Sequence, residues 1–216
     1  MKLRQMILAP LALALGTAAE ADFINPDSAT ASSTFSSLYD VGNTIDGSGL
    51  GTGFTASTPH ADYAANNHWT TANFGSNAAL VAARPTATFF FDAAQDVAAF
   101  YLWNHRSNVI SYDPNYAVRL FNLAFRDGDG NLLSEITDLT ASQGVAAAQA
   151  YNFDLVQGVR SVELTVLDNF GSVVTGFAEV RFGGAAVPEP GSALLLSAAI
   201  PVLAGAALVR RRTAAA

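Results

Sequence analysis

The sequence predicts an all-β domain, an antiparallel β-sandwich, carried between two apolar ends. Three observations predict it. From Asp22 to Ala186 the apolar residues fall in short runs, and in the clearest they alternate. Val162, Leu164 and Val166 lie on one face, and Ser161, Glu163 and Thr165 on the other. A period of two marks a half-buried strand. Gly, Asn and Asp separate the runs, as turns require. No stretch sustains the 3.6-residue periodicity of an amphipathic helix. Of the 216 residues, 50% are hydrophobic, 13% are charged and none is cysteine. That composition excludes intrinsic disorder, a disulfide-stapled scaffold, a Cys-based zinc site and a cysteine nucleophile.

The elements follow in order. Residues 1–21 read as a secretory signal peptide: Lys2 and Arg4, then an apolar Met6–Ala19, then Ala19-Glu20-Ala21 before cleavage at Asp22. The apolar run is short for a transmembrane anchor, and Pro10 interrupts it. Residues 22–186 form the ectodomain. Its opening 43–75 is poor in aliphatics and rich in Gly, Asn, Thr and Ser. It reads as long loops over one end of the sandwich, where binding sites are usually carried. Strands are expected at Thr86–Phe91, Val97–Trp103, Ala117–Phe125, Leu132–Thr137, Tyr151–Leu155, Arg160–Leu167 and Phe177–Phe182. The tail occupies 187–216. Gly191–Val209 is uncharged and nineteen residues long. As a helix it spans roughly 28 Å, enough for a bilayer. Arg210, Arg211 and Arg212 follow at once and stay cytoplasmic, so the ectodomain faces outward. Between the ends, six arginines face sixteen acids with no lysine, a net charge of −10. Nucleic-acid binding needs the opposite balance.

Val187-Pro188-Glu189-Pro190, the apolar run and the Arg cluster together resemble the PEP-CTERM sorting signal of Gram-negative bacteria. The resemblance implies export through the inner membrane and transient anchoring by the C-terminal helix. It also implies recognition by an exosortase near Pro188, Glu189 and Pro190, then a cell-surface or extracellular place in an exopolysaccharide or biofilm matrix. The ectodomain carries a second resemblance, on Ala29-Thr-Ala-Ser-Ser33, Thr44-Ile-Asp-Gly47, His68-Trp69 and the closing Phe177-Ala-Glu-Val-Arg-Phe-Gly183. That order is similar to the discoidin, or coagulation-factor C-type, galactose-binding-like jelly roll. The spacing from Asp46 to Trp69 is longer than usual there. The resemblance implies a structural calcium ion (Ca2+) held by Asp46 and Glu179, with an oxygen near Ser48. The alternative is that Asp46 caps a turn and Glu179 is solvated.

A sugar site needs aromatic faces beside planar hydrogen-bonding groups. Two clusters offer them: His60, Asn66, Asn67, His68 and Trp69, and Trp103, Asn104, His105, Arg106, Tyr112 and Tyr116. The second is expected in a polar loop after a strand, and burial of either Trp in the core is the competing reading. Asp127–Asn131 partly copies an EF-hand loop, with Asp138 at position twelve, but Leu132 stands where glycine is needed. A hairpin turn fits better. Gly47–Gly53 lacks the basic residue and following helix of a phosphate loop. His60, His68 and His105 match no local zinc spacing. No His-Glu-x-x-His or Gly-x-Ser-x-Gly occurs, so catalysis is not expected. The function expected is a non-catalytic carbohydrate-binding or adhesion module. The alternatives are a structural envelope protein without a ligand and, further off, a polysaccharide hydrolase. The ends are directly testable: mass spectrometry of the mature protein should find Asp22 first and no Arg210–Arg212. An intact arginine cluster would refute the processing.

Overall fold

The computed structural model describes residues 23–107 and 114–184. The signal peptide, Tyr112 and the whole tail with Pro188, Glu189, Pro190 and Arg210–Arg212 lie outside the described residues. Eight strands and one helix follow in chain order: β1 (Phe23–Ile24), β2 (Ser28–Ala31), β3 (Trp69–Thr70), α1 (Asn77–Ala83), β4 (Thr86–Asn104), β5 (Val118–Arg126), β6 (Leu132–Thr140), β7 (Gln149–Asn169) and β8 (Gly176–Gly183). They pair in the order β1-β8-β4-β7-β5-β6, with β2 on β4 and β3 on β8. Every strand pair is antiparallel. Among the described residues no helix is long and apolar enough to cross a membrane.

Two pairs of expected strands are single strands. Asp92–Asp96 and Asp154–Gly158 look like turns in sequence, yet in space they are bends. The β4–β7 register shifts between Phe90 and Ala99, where irregular residues absorb the bend. The two corners are tied together: the Gly158 amide donates to Asp96 Oδ1 at 3.0 Å. Before its bend β4 pairs with β2 and the second half of β7; after it, with β8 and the first half of β7. Strands that change layer at bends are how two sheets share edges.

The core lies between these layers. Phe89, Phe121, Leu123 and Leu164 come from one side, and Phe100, Leu102, Val180 and Phe182 from the other, all with no exposure. Phe182 meets Phe89 at 5.9 Å, Phe91 at 5.3 Å and Phe100 at 5.4 Å between ring centroids. The outer face of β4 and β8 is also covered. Leu50 and Phe54 of the glycine-rich loop and Phe23 of β1 pack over Trp103. At Gly176 an added Cβ would overlap the Trp69 carbonyl oxygen, so β3 approaches β8 only because that residue is glycine.

Helix α1 and the short strands β1, β2 and β3 are not among the elements expected from sequence. The helix's seven residues, with one buried side chain, Leu80, are too few to show a period. Its signal was local: Ser76 caps it through the Ala79 amide, and Arg84 ends it in the left-handed region before Pro85. The Asp127–Asn131 segment is the expected turn. Asp127 Oδ1 accepts from the Asp129 and Asn131 amides, both at 2.9 Å, and Gly130 has φ +82°. The Asn131 side chain, followed by those amides, holds the Asp127 carboxyl below the usual range.

Packing at Phe182 yields a stability test. Phe182→Ala should cost about 3–5 kcal/mol in denaturant unfolding, whereas Leu155→Ala at an exposed site should change it by less than about 0.5 kcal/mol. Similar costs at both positions would be incompatible with this core.

Candidate functional site

A cleft of about 310 Å³ opens at the loop end of the sandwich, beside the start of β5 and the end of β7. Phe35, Tyr39, Tyr63, Thr70, Asn73, Tyr116, Val173 and Val174 line it. Tyr39 and Tyr63 are stacked, with centroids 5.2 Å apart and planes 8° from parallel. Phe35 meets Tyr39 edge-on at 6.0 Å and Tyr116 meets Tyr63 edge-on at 6.3 Å. Phe35 is 56% exposed and Leu38 beside it 49%, so the rim presents apolar surface to solvent.

Hydrogen bonds hold each wall. The 35–39 segment is pinned by the Phe35 amide on Thr70 O (2.8 Å) and the Asn66 amide on Leu38 O (2.7 Å). Asn43 Nδ2 bridges the carbonyls of Leu38 and His68 at 3.2 Å each. Tyr63 is set by its amide on Arg106 O (2.9 Å) and by the Thr70 hydroxyl, which donates to its phenol oxygen at 3.3 Å. Thr175 Oγ1 holds the Tyr116 carbonyl at 3.0 Å. The Asn169 side chain accepts from the Gly171 and Ser172 amides and donates to the Ser172 and Val174 carbonyls, which shapes the third wall. Burial raises the Tyr63 pKa, so the phenol keeps its proton.

The two clusters expected from sequence meet behind this cleft. His68 lies 5.1 Å from His60 and 5.4 Å from His105, centroid to centroid. Tyr63 touches His68 at 5.2 Å and His105 at 4.7 Å, and Tyr116 touches His105 at 5.3 Å. All three imidazoles are buried. His60 Nδ1 donates to Ala61 O (2.8 Å) and His68 Nδ1 to Asn67 Oδ1 (2.7 Å), since only a protonated nitrogen suits those acceptors. Gly49, at φ +90°, makes room for the His60 ring, which an added Cβ would strike. Desolvation lowers the pKa of His60 and lowers that of His68 well below its ordinary value, helped there by His105 and His60. Both rings are therefore neutral.

Most of the other expected ligand residues are buried or paired within the fold. Trp69 and Trp103 have no exposure, and their indole N–H groups donate to Ser33 O (3.0 Å) and Thr58 O (2.9 Å). Trp103 lies in β4, as the expected strand Val97–Trp103 had it, and Asn104 is corrected from a polar loop to the buried last residue of that strand; the 46–60 loop covers Trp103. Asn104 joins Val118 O, Ser142 O and the amides of Val118 and His105. Arg106 pairs with Asp62 at 3.0 Å, half-buried beneath the cleft. Tyr116 alone of the described candidates reaches the cleft surface. Phe35, Tyr39, Tyr63, Thr70 and Asn73 were missed, although the aromatic pair Phe35 and Tyr39 in a serine-rich loop was a visible signal.

Asp46 and Glu179 do come together, because the Gly47 amide reaches Glu179 Oε1 at 3.4 Å. Asp46 Oδ1 also accepts from the Ser48 amide at 2.7 Å, closing a turn. The group paired with Glu179 is Arg181. Among the described residues no three His, Asp or Glu side chains form a set that could hold a metal ion.

No family model and no curated protein sequence matches the chain. Solved structures do. An F5/8 type C domain from Bacteroides fragilis matches with TM-score 0.53 and 18% identity, covering 78% of this chain and 99% of that one. The lectin domain of lectinolysin complexed with Lewis B antigen matches at 0.52 and 15%, covering 74% and 93%. A Streptococcus pneumoniae fucose binding module matches at 0.50 and 14%, covering 74% and 92%. The chain thus has the fold of F5/8 type C domains, as the discoidin-like resemblance implied.

The buried histidines predict acid sensitivity. The unfolded chain protonates His68 near pH 6.5, whereas the folded chain resists protonation. Stability is therefore full above about pH 6.5 and falls below it, by up to about 1.4 kcal/mol per pH unit for each such histidine. Denaturant melts from about pH 7 to 5 should show a shallower loss in His68→Gln than in the parent. Equal slopes would mean His68 protonates alike in both states.

Proposed function

We propose that this domain is a non-catalytic carbohydrate-binding module, and that the tyrosine-lined cleft is its ligand site. The observation that carries the reading is the exposed Phe35 edge beside the stacked Tyr39–Tyr63 pair. Sugar rings present an apolar C–H face, and flat aromatic side chains bury it at little conformational cost. Thr70, Asn73 and the phenol of Tyr116 supply polar groups at the walls. Support comes from the solved neighbours, whose names describe a fucose binding module and a lectin domain complexed with Lewis B antigen.

The chemistry of the cleft favours an uncharged glycan. No charged side chain is among its described lining residues. The nearby guanidinium of Arg106 is engaged by Asp62. The ectodomain carries −10, which repels uronates and sulfated chains. Joined to the PEP-CTERM-like tail, the reading is of an exported, exosortase-sorted surface protein that grips a neutral matrix polysaccharide.

A glycan array on the full chain should return neutral sugars. Tyr39→Ala should weaken the best hit about 10- to 100-fold with an unchanged melt. An empty array would favour a structural envelope protein without a ligand, and release of reducing ends from any hit would reveal a hydrolase.

A further inference from the structure

The discoidin-like resemblance implies calcium between Asp46 and Glu179. The structure puts another cation there. Arg181 stands two residues after Glu179 on β8, so both side chains leave the same face of the strand. Its Nη1 pairs with Glu179 Oε1, and the side chains are 4% and 0% exposed. Arg181 Nη2 lies 3.6 Å from where a Cβ on Gly47 would sit, so the guanidinium rests against the Asp46–Gly47 turn. The Phe54 ring faces it, with Cζ 5.2 Å from the centroid. Burial raises the Glu179 carboxyl and lowers the guanidinium, and their mutual attraction opposes both shifts.

Calcium asks for roughly six to eight oxygen ligands. Here a principal carboxylate oxygen already receives an N–H donor, and a second cation beside a buried guanidinium would meet strong repulsion. The donor set therefore does not fit calcium while Arg181 is in place. We propose that the Arg181 guanidinium is the resident cation of this joint, fastening the Asp46–Gly47 turn to the last strand without a metal ion. Its place in the chain explains the economy: a strand residue supplies in every folded molecule what an ion supplies only when bound.

The test is thermal unfolding of the full chain with calcium or with chelator. A site filled by calcium at a hundredfold excess over its Kd would raise Tm by roughly 5–10 °C. The parent protein should melt alike in both conditions; a chelator-induced fall reversed by calcium would overturn the proposal. Arg181→Ala leaves Glu179 and Asp46 facing each other, so it should melt lower and regain several degrees with calcium. A stable Arg181→Ala protein indifferent to calcium would also overturn it, since the carboxylates would then form no cation site. If that variant does not fold, the double variant Glu179→Gln/Arg181→Met decides. It removes both charges together, and should fold and ignore calcium. Calcium-dependent melting of the double variant would place an ion elsewhere and refute the assignment.

Discussion

Pairing between β4 and β7 is the constraint on which the rest depends. Each strand bends once, and they bend together, so one antiparallel pair runs through both layers. The two layers are thereby tied to one another through a continuous strand pair. The phenylalanines of β4 and β8 fill the gap between them, with Phe182 touching rings from both halves of β4. Without the Gly158–Asp96 tie at the bend, an unpaired amide would be left where ladder bonding fails.

That frame leaves one end of the sandwich to be closed by segments with little regular structure. Long loops are ordered only where their backbone groups find partners. Side-chain amides do much of this here. Asn43, Asn67, Asn104 and Asn169 each join segments distant in sequence or brace a turn by hydrogen bonds to backbone. Three buried imidazoles and Tyr63 then fill the space beneath, so the Tyr39–Tyr63 pair stands on a packed floor. Rigid aromatic groups lose little freedom when a ligand arrives, the physical condition for binding a weakly gripping sugar.

Strand positions from β4 onward were legible, most clearly where burial is one-sided and the side-chain period is two. The alternation at 161–166 is the face pattern found in β7, with Val162, Leu164 and Val166 buried. The bends were not legible. Asp92–Asp96 has the composition of a turn, and only the partner strand decides that pairing resumes beyond it. The same limit governed the site. The histidine clusters were recognised as places of interest, and they do converge, but burial depends on what folds over a residue. Trp103 ends a strand whose outer face looked free until Leu50, Phe54 and Phe23 covered it. Tyr39 and Tyr63 are 24 positions apart and stack only because Asn43 and the Phe35 and Asn66 amides bring their loops together.

The use of arginine connects stability to ligand choice. The ectodomain has six arginines and no lysine. Arg106 is committed to Asp62, Arg119 to Asp168 and Arg181 to Glu179. An Arg–carboxylate pair is directional and holds loops in one arrangement, but a guanidinium so engaged has less positive potential to offer outward. Beside the cleft, the Arg106 guanidinium is thus engaged by Asp62. What remains at the cleft is flat aromatic surface with neutral hydrogen-bonding groups, inside a field that repels anions. Under the proposed carbohydrate-binding reading, a preference for uncharged ligands would need no contact of its own, because it would follow from where the few positive charges were placed.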